Sequence, residues 1–196
     1  MKKILTIATM LLIGITASAQ LQVGAGFMYE MIQSDNSANL SGLYAGASYN
    51  IKIAGNFGVA PGVYYTIANK KGANLWGFGE KNVTDHNVIV PIYLNYSIPV
   101  GRDASFFIFA GPTADLGIAY NVKETISTKG RVIIDGDSGN LYAGDDPLIP
   151  RFDVKAGGGV GFKYNHYVFS VGYDYGILER NNSHFNLLHA GFAYSF

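Results

Sequence analysis

Charged side chains are scarce in this sequence, and six of them stand where a strand pattern would turn them inward. Glu30, Lys52, Asp115, Asp153, Lys155 and Asp174 each occupy the polar phase of a segment that alternates between apolar and small or polar residues. Carboxylates and ammonium groups shielded from water must be paired or hydrogen-bonded. Lys155 and Asp174 fall on neighbouring segments at similar heights above Asn165, and Asp115 falls on the segment before. Such a cluster is either a structural ion-pair network or a narrow ion path with a proton-linked gate. The network is the favoured reading, because a wall of eight strands encloses a space just wide enough for side chains to fill.

Other residues invite catalytic or metal chemistry. A hydrolase or acyltransferase needs a nucleophile beside a base, and Asp85-His86 and Ser183-His184 are the nearest approximations. Neighbours on a strand point to opposite faces, and the two pairs fall on the fourth and eighth segments, on opposite sides of an eight-strand barrel. His189 points inward and His166 sits in a turn. No catalytic residue is assigned, and the chain is read as not an enzyme. Asp135-Gly136-Asp137-Ser138-Gly139-Asn140 and Asp145-Asp146 offer oxygen ligands of a kind that suits Ca²⁺. Their spacing departs from the helix-loop-helix motif and no Glu closes it, so a polar turn is preferred and no metal or cofactor is expected. The absence of Cys excludes disulfides, thiol nucleophiles and thiolate metal sites. Trp76 and Phe78, in a connecting segment, could contact a partner or dip into a membrane interface.

The elements that must position these residues are strands. Eight segments alternate with period two. The first sets Leu21, Val23, Ala25, Phe27, Tyr29 and Met31 against Gln22, Gly24, Gly26 and Glu30. The fourth sets Val88, Val90, Ile92, Leu94, Tyr96 and Ile98 against Asn87, Tyr93, Asn95 and Ser97. The other six, near 43–53, 57–67, 106–120, 152–164, 167–177 and 188–196, repeat the pattern. One face is apolar; the other is small, with Gly, Ser, Asn, Tyr and a few charges. A soluble barrel would bury the apolar face and show Lys, Glu and Thr outside. Here the aromatics of the apolar face gather at strand ends, as the girdles of membrane barrels do. Tyr49, Phe57, Tyr96, Phe106, Tyr164, Tyr167, Tyr194 and Phe196 are expected at one interface, and Tyr29, Tyr65, Tyr120, Phe152 and Tyr175 at the other. Phe107, Phe109, Phe185 and Leu187 are expected inside.

The expected fold is therefore all-β: an eight-stranded antiparallel transmembrane up-and-down β-barrel. Connections near Gly55, Gly101 and Asn165 are short, whereas those at 33–39, 69–86, 121–150 and 180–184 are mostly longer, which puts the longer ones outside the cell and both termini in the periplasm. Within the longest, Glu124–Thr128 and Arg131–Ile134, joined by Lys129-Gly130, can extend the fifth strand as a hairpin. Pro61, Pro91 and Pro112 fall inside strands, where each needs a bulge or leaves a carbonyl partly unpaired. Residues 1–19 read as a cleaved signal peptide, with Lys2 and Lys3, an apolar stretch Ile4 to Ile15 and Ala17-Ser18-Ala19 before Gln20. Residues 20–196 then form the one domain. Without Lys2 and Lys3 the chain carries two more acidic than basic side chains, so no nucleic-acid surface is implied.

Four stretches carry a family resemblance: Val90-Pro91-Ile92-Tyr93-Leu94-Asn95-Tyr96, Ala156-Gly157-Gly158-Gly159-Val160-Gly161-Phe162, Val171-Gly172-Tyr173-Asp174-Tyr175-Gly176 and Gly191-Phe192-Ala193-Tyr194-Ser195-Phe196. Through them the mature chain resembles the PorT-like outer-membrane β-barrel domain family, small barrels of Gram-negative envelopes. The resemblance implies a place in the outer membrane among its lipids. It also implies that the ending with Phe192, Tyr194 and Phe196 is the signal read by the barrel-insertion machinery. It carries no catalytic residue. The leading functional expectation is a non-enzymatic, monomeric anchor whose outer connections meet the surroundings; a small pore, a lipid-modifying enzyme and a secretion accessory factor are the alternatives.

Overall fold

Period-two alternation produces strands, and the strands close into a ring. The computed structural model describes residues 19–33, 39–73, 79–128, 131–143, 150–178 and 183–196; the expected signal peptide before Ala19, and Trp76, Phe78, Asp145 and Asp146, lie outside them. Nine strands run β1 Ala19–Gln33, β2 Leu40–Ala54, β3 Phe57–Ala73, β4 Gly79–Pro99, β5 Ala104–Thr128, β6 Arg131–Asn140, β7 Phe152–Tyr164, β8 Tyr167–Gly176 and β9 His184–Ser195. Every pairing is antiparallel, in the order β4-β3-β2-β1-β9-β8-β7-β5-β6, and pairing of β4 with β5 closes the circle. Eight strands form the wall. The ninth, β6, pairs only with the outer part of β5, above the stretch where β5 meets β7.

Burial is inverted relative to a water-soluble protein. Leu43, Leu94 and Val160 are at least 60% exposed, while Glu30, Asp85, Asp115, Asp153, Lys155 and Asp174 are no more than 2% exposed. Burying apolar surface is the main favourable term in water, so an uncovered apolar face of this extent belongs in lipid. Every backbone polar group within lipid must be paired internally, which a closed ring achieves and an open sheet does not. Rings of the expected periplasmic girdle touch in groups: Phe57 with Tyr96 (4.7 Å), Phe106 with the neighbouring Phe162 (5.0 Å), and Tyr167, Tyr194 and Phe196 in succession.

Tight turns at the periplasmic end fit their residues. Gly55 and Asn165 take positive φ of 55° and 52°, a region that Gly and Asn enter at least cost. At the outer end the strands outrun the sequence expectation. β3 and β4 pair out to Ala73↔Glu80, so much of the segment expected as a connection at 69–86 is hairpin. The hairpin expected from Glu124–Thr128 and Arg131–Ile134 forms, with Ile126 opposite Ile134, and its second strand, β6, runs on to Asn140. Alternation is imposed by lipid on one face; beyond the membrane both faces are polar, and hydrogen bonding continues without leaving that trace.

Two further differences have local causes. Tyr120 turns inward, against the expectation of an outer girdle, because the β4–β5 register slips between His86 and Asn87; a bulge shifts the following residues to the other face. Tyr120 therefore packs with Val122 against the buried cluster of Met28, Leu40, Ala68, Val83, Ile89 and Leu187. The three prolines produce no bulge. Instead the ladder skips two rows at each: between Ser48↔Gly62 and Ile51↔Val59, between Pro61↔Ile92 and Tyr64↔Ile89, and between Pro91↔Thr113 and Leu94↔Ala110. Three consecutive seams of the wall thus lose backbone donors at one level, where Pro supplies no N–H.

Candidate functional site

The inward phase of β1, β4, β5, β7, β8 and β9 converges on the lumen, and two polar clusters form there. In the first, Lys155 is ion-paired with Asp115, and its Nζ lies 3.9 Å from an Asp153 oxygen. Asp115 and Asp153 are direct cross-strand partners, a like-charge placement that is unfavourable on its own. Lys155, two residues along β7, answers it, and Glu30 also acts on that ammonium. Asp115 and Asp153 are almost fully buried beside it. A charge left unpaired in such a place would cost several kcal/mol, on the order of 3–5.

The second cluster is centred on Asp174. The Tyr93 hydroxyl sits 2.9 and 2.8 Å from its two oxygens, and Thr113 donates to the same phenol oxygen at 3.1 Å. His189 Nε2 lies 3.7 Å from Asp174 and has no hydrogen-bond partner. Gly157 faces Asp174 across the β7–β8 ladder, and a Cβ there would collide with the carboxylate. The Gly-rich run of β7 is thereby explained: it makes room for side chains that reach across a narrow lumen.

The six charges expected in one network are thus divided. Glu30, Asp115, Asp153 and Lys155 come together. Asp174 sits two residues lower on the adjacent strand, opposite Gly157 rather than Lys155, and joins Tyr93 and His189 instead. Lys52 belongs to neither group. It is exposed on the last turnward residues of β2, beside the register shift at Lys52/Ala54, where the pleat has reached the periplasmic rim.

A third group, missed in the sequence, closes the outer end. Tyr142 follows β6 and is fully buried. Its hydroxyl donates to Asp85 (3.1 Å), which also accepts from Asn87 Nδ2 (2.9 Å). Its ring lies where a Cβ of Gly117 would otherwise stand, edge-on to Tyr120. Asn140 anchors the segment: its side-chain oxygen accepts from the Tyr120 and Tyr142 amides at 3.0 Å each, and its Nδ2 donates to Ile118 O. Asp85 was legible in principle, since Asn87 fixes the inward phase and two residues back lies Asp85. Tyr142 carried no such signal, because nothing in a polar connection says which residue folds back.

The remaining candidates are dispersed. Asp85 and His86 face opposite sides of the wall, and His86 shares a 2.6 Å hydrogen bond with the Tyr65 hydroxyl on the outside. His184 bonds the Gly176 carbonyl and stacks on Tyr175. Asp137 is engaged by the Gly139 amide at 3.0 Å and by Lys123 at 3.3 Å, which together hold its carboxyl below the ordinary aspartate value, the amide contributing most. Among the described residues no group of three or more His, Cys, Asp or Glu is arranged to hold a metal ion. Phe192, Tyr194 and Phe196 face outward at the periplasmic edge.

The sequence profile described as Outer membrane protein beta-barrel domain matches residues 5–196. Among solved structures, the attachment invasion locus protein Ail of Yersinia pestis is similar at 12% identity and a TM-score of 0.52, over 91% of this chain and 99% of that one. A second structure of Ail is similar at 11% identity and 0.51, with the same coverage. Neisserial surface protein A is 16% identical over 91% of this chain and 99% of its own, at a TM-score of 0.49. No curated protein sequence matches. At these identities the Ail structures speak for the fold, an eight-stranded barrel, and the profile speaks for the family. Inverted burial, a closed antiparallel ring and a match across nearly the whole sequence converge: the chain belongs to the outer membrane protein β-barrel domain family and resides in the outer membrane.

Proposed function

We propose that this barrel is a non-enzymatic, monomeric membrane anchor that presents its outer connections, above all the β5–β6 hairpin, to the cell's surroundings. One observation carries the reading: the outer end of the lumen is filled. Tyr142, Asp85, Asn87 and the Lys155 cluster occupy it, together with the apolar group around Met28, Leu40 and Leu187. A pore needs a continuous wet path, and these side chains are packed and bonded across it. A lipid-modifying enzyme needs a nucleophile and a base within reach of each other, and the outer histidines are committed to Tyr65 and to Gly176.

The reading extends to biogenesis. Cleavage after Ala19, which the Ala17-Ser18-Ala19 pattern suggests, would leave Gln20, the partner of Asn50, as the first residue of β1. The outward aromatic ending supports recognition of Phe192, Tyr194 and Phe196 by the insertion machinery, and the PorT-like motifs support a place among such barrels. The test is a strain whose only copy has the connection at 74–78 and the hairpin tip at 125–136 replaced by short turns, with Asn140 and Tyr142 kept. The altered barrel should still insert, and surface-contact phenotypes of the intact gene should be lost. Full retention of every phenotype would overturn the anchor reading.

A further inference from the structure

Below the ionic cluster the lumen is not filled. A cavity of about 140 Å³ remains, opening toward the periplasm past Ser97, Ser105 and Lys163. Its walls carry Tyr44, Tyr64, Tyr93, Phe107, Phe109 and His189. The rings are set against one another: Tyr44 edge-on to Tyr64 at 5.7 Å, Tyr93 against Phe109 at 4.9 Å, and His189 beside Phe109 at 6.3 Å. Behind Tyr93 stands Asp174, hydrogen-bonded to that phenol through both oxygens.

The charge of the surroundings is one-sided. Five buried acidic side chains (Glu30, Asp85, Asp115, Asp153 and Asp174) lie around or above the cavity, against one buried ammonium, Lys155. Lys163 stands at the mouth, where its ammonium is held by Gln20 at 2.5 Å. His189, the remaining basic group of the lining, has its Nε2 3.7 Å from an Asp174 oxygen.

We propose that this cavity binds a small organic cation, of the quaternary or alkylammonium class, arriving from the periplasm. Aromatic faces carry negative potential and attract a cation within about 6 Å of the ring. An acidic group behind the end wall strengthens that attraction in a medium poorer than water at screening charge. An anion would meet the acidic lumen, and among the described residues no three His, Cys, Asp or Glu are grouped to hold a bare metal ion. The size also fits, since a dry cavity of about 150 Å³ admits a benzene-sized guest and a tetramethylammonium ion is of that order. The inference does not depend on what the outer connections bind.

The experiment is an NMR titration of the full mature barrel, refolded in a non-ionic detergent, with tetramethylammonium chloride at constant ionic strength. Neopentyl alcohol, similar in shape and uncharged, is titrated in parallel. Saturable shifts confined to lumen residues are expected with the cation, and an affinity at least about tenfold weaker for the alcohol. Asp174→Asn, checked for folding by its unheated gel shift, should lose about tenfold in affinity for the cation. No saturable shift with tetramethylammonium, or equal affinity for the two probes on the wild-type protein, overturns the proposal whether or not the variant folds. Unchanged affinity in a folded Asp174→Asn barrel overturns it as well.

Discussion

Replacing Lys155 by Met keeps most of the side chain's length and removes its charge. In the native barrel this ammonium is 1% exposed, ion-paired with Asp115 and close to Asp153. Deleting one partner of a buried pair costs about 3–5 kcal/mol, because the stranded charge has no water to turn to. Asp115 and Asp153 face each other across the β5–β7 ladder, so their repulsion adds and the upper part of that range is expected. With a urea slope near 2 kcal/mol per molar, the unfolding midpoint should fall by roughly 2 M. The assay is urea titration of the refolded barrel in phospholipid vesicles, read as the fraction that migrates anomalously on unheated gels. Lys163→Met serves as the control: its ammonium is half-buried at the periplasmic rim and bonded to Gln20, so its loss should cost below about 1 kcal/mol. The double variant Lys155→Met/Asp115→Asn removes one stranded charge and should recover part of the loss. If Lys155→Met costs no more than Lys163→Met, or the double variant is no better than the single, the ion cluster does not hold the lumen together as argued.

Other outcomes follow from single observations. Tyr142→Ala should raise the rate of protease cleavage in the outer connection after β6 by at least about tenfold, since the buried ring and its bond to Asp85 tie that segment down; an unchanged rate would place the anchor elsewhere. Gly157→Val should abolish the heat-modifiable form, because its side chain would run into Asp174 and the Tyr173 carbonyl; a folded variant would show that the β7–β8 approach is looser than described. Hydrogen exchange should be faster at residues 90–93 than along β7 to β9, since two ladder rows are missing on each side of β4 there, and uniform protection would contradict this. Asp137 has a carboxyl lowered first by the Gly139 amide and then by Lys123. Its stabilising contribution is therefore present above the ordinary aspartate value and lost as pH falls through the lower folded value. An NMR titration midpoint at or above that of an unstructured peptide would contradict this.

The lipid-facing half of the barrel was legible because lipid writes on the sequence. Asn87, Tyr93, Asn95 and Ser97 fall in the opposite phase to Val88, Val90, Ile92, Leu94, Tyr96 and Ile98, and that phase fixes which residues of β4 face in. Glu30, Asp115, Asp153, Lys155 and Asp174 follow as inward from the same phase. Their division into two clusters did not follow from the phase alone: in the β7–β8 register Lys155 stands opposite Gly176 and Asp174 opposite Gly157, two rows apart. Tyr120 was misassigned for a related reason: a bulge is one residue of slip, and period-two reasoning has no means to detect it in a single sequence. The β3–β4 hairpin was underestimated because polar strands standing in water need no apolar face. Tyr142 is the instructive omission. A side chain that closes the lumen by folding back from a connection has no periodic neighbours, so only the three-dimensional register reveals it.

The claim that function sits in the outer connections rests on a lumen closed at its outer end. Planar-bilayer recording of the refolded wild-type barrel tests that most directly. Closure by Tyr142, Asp85 and the Lys155 cluster predicts a flat current across the physiological voltage range, with no discrete steps attributable to the protein. Reproducible unitary conductance from correctly folded, unproteolysed barrel would contradict it and return the chain to the class of pores.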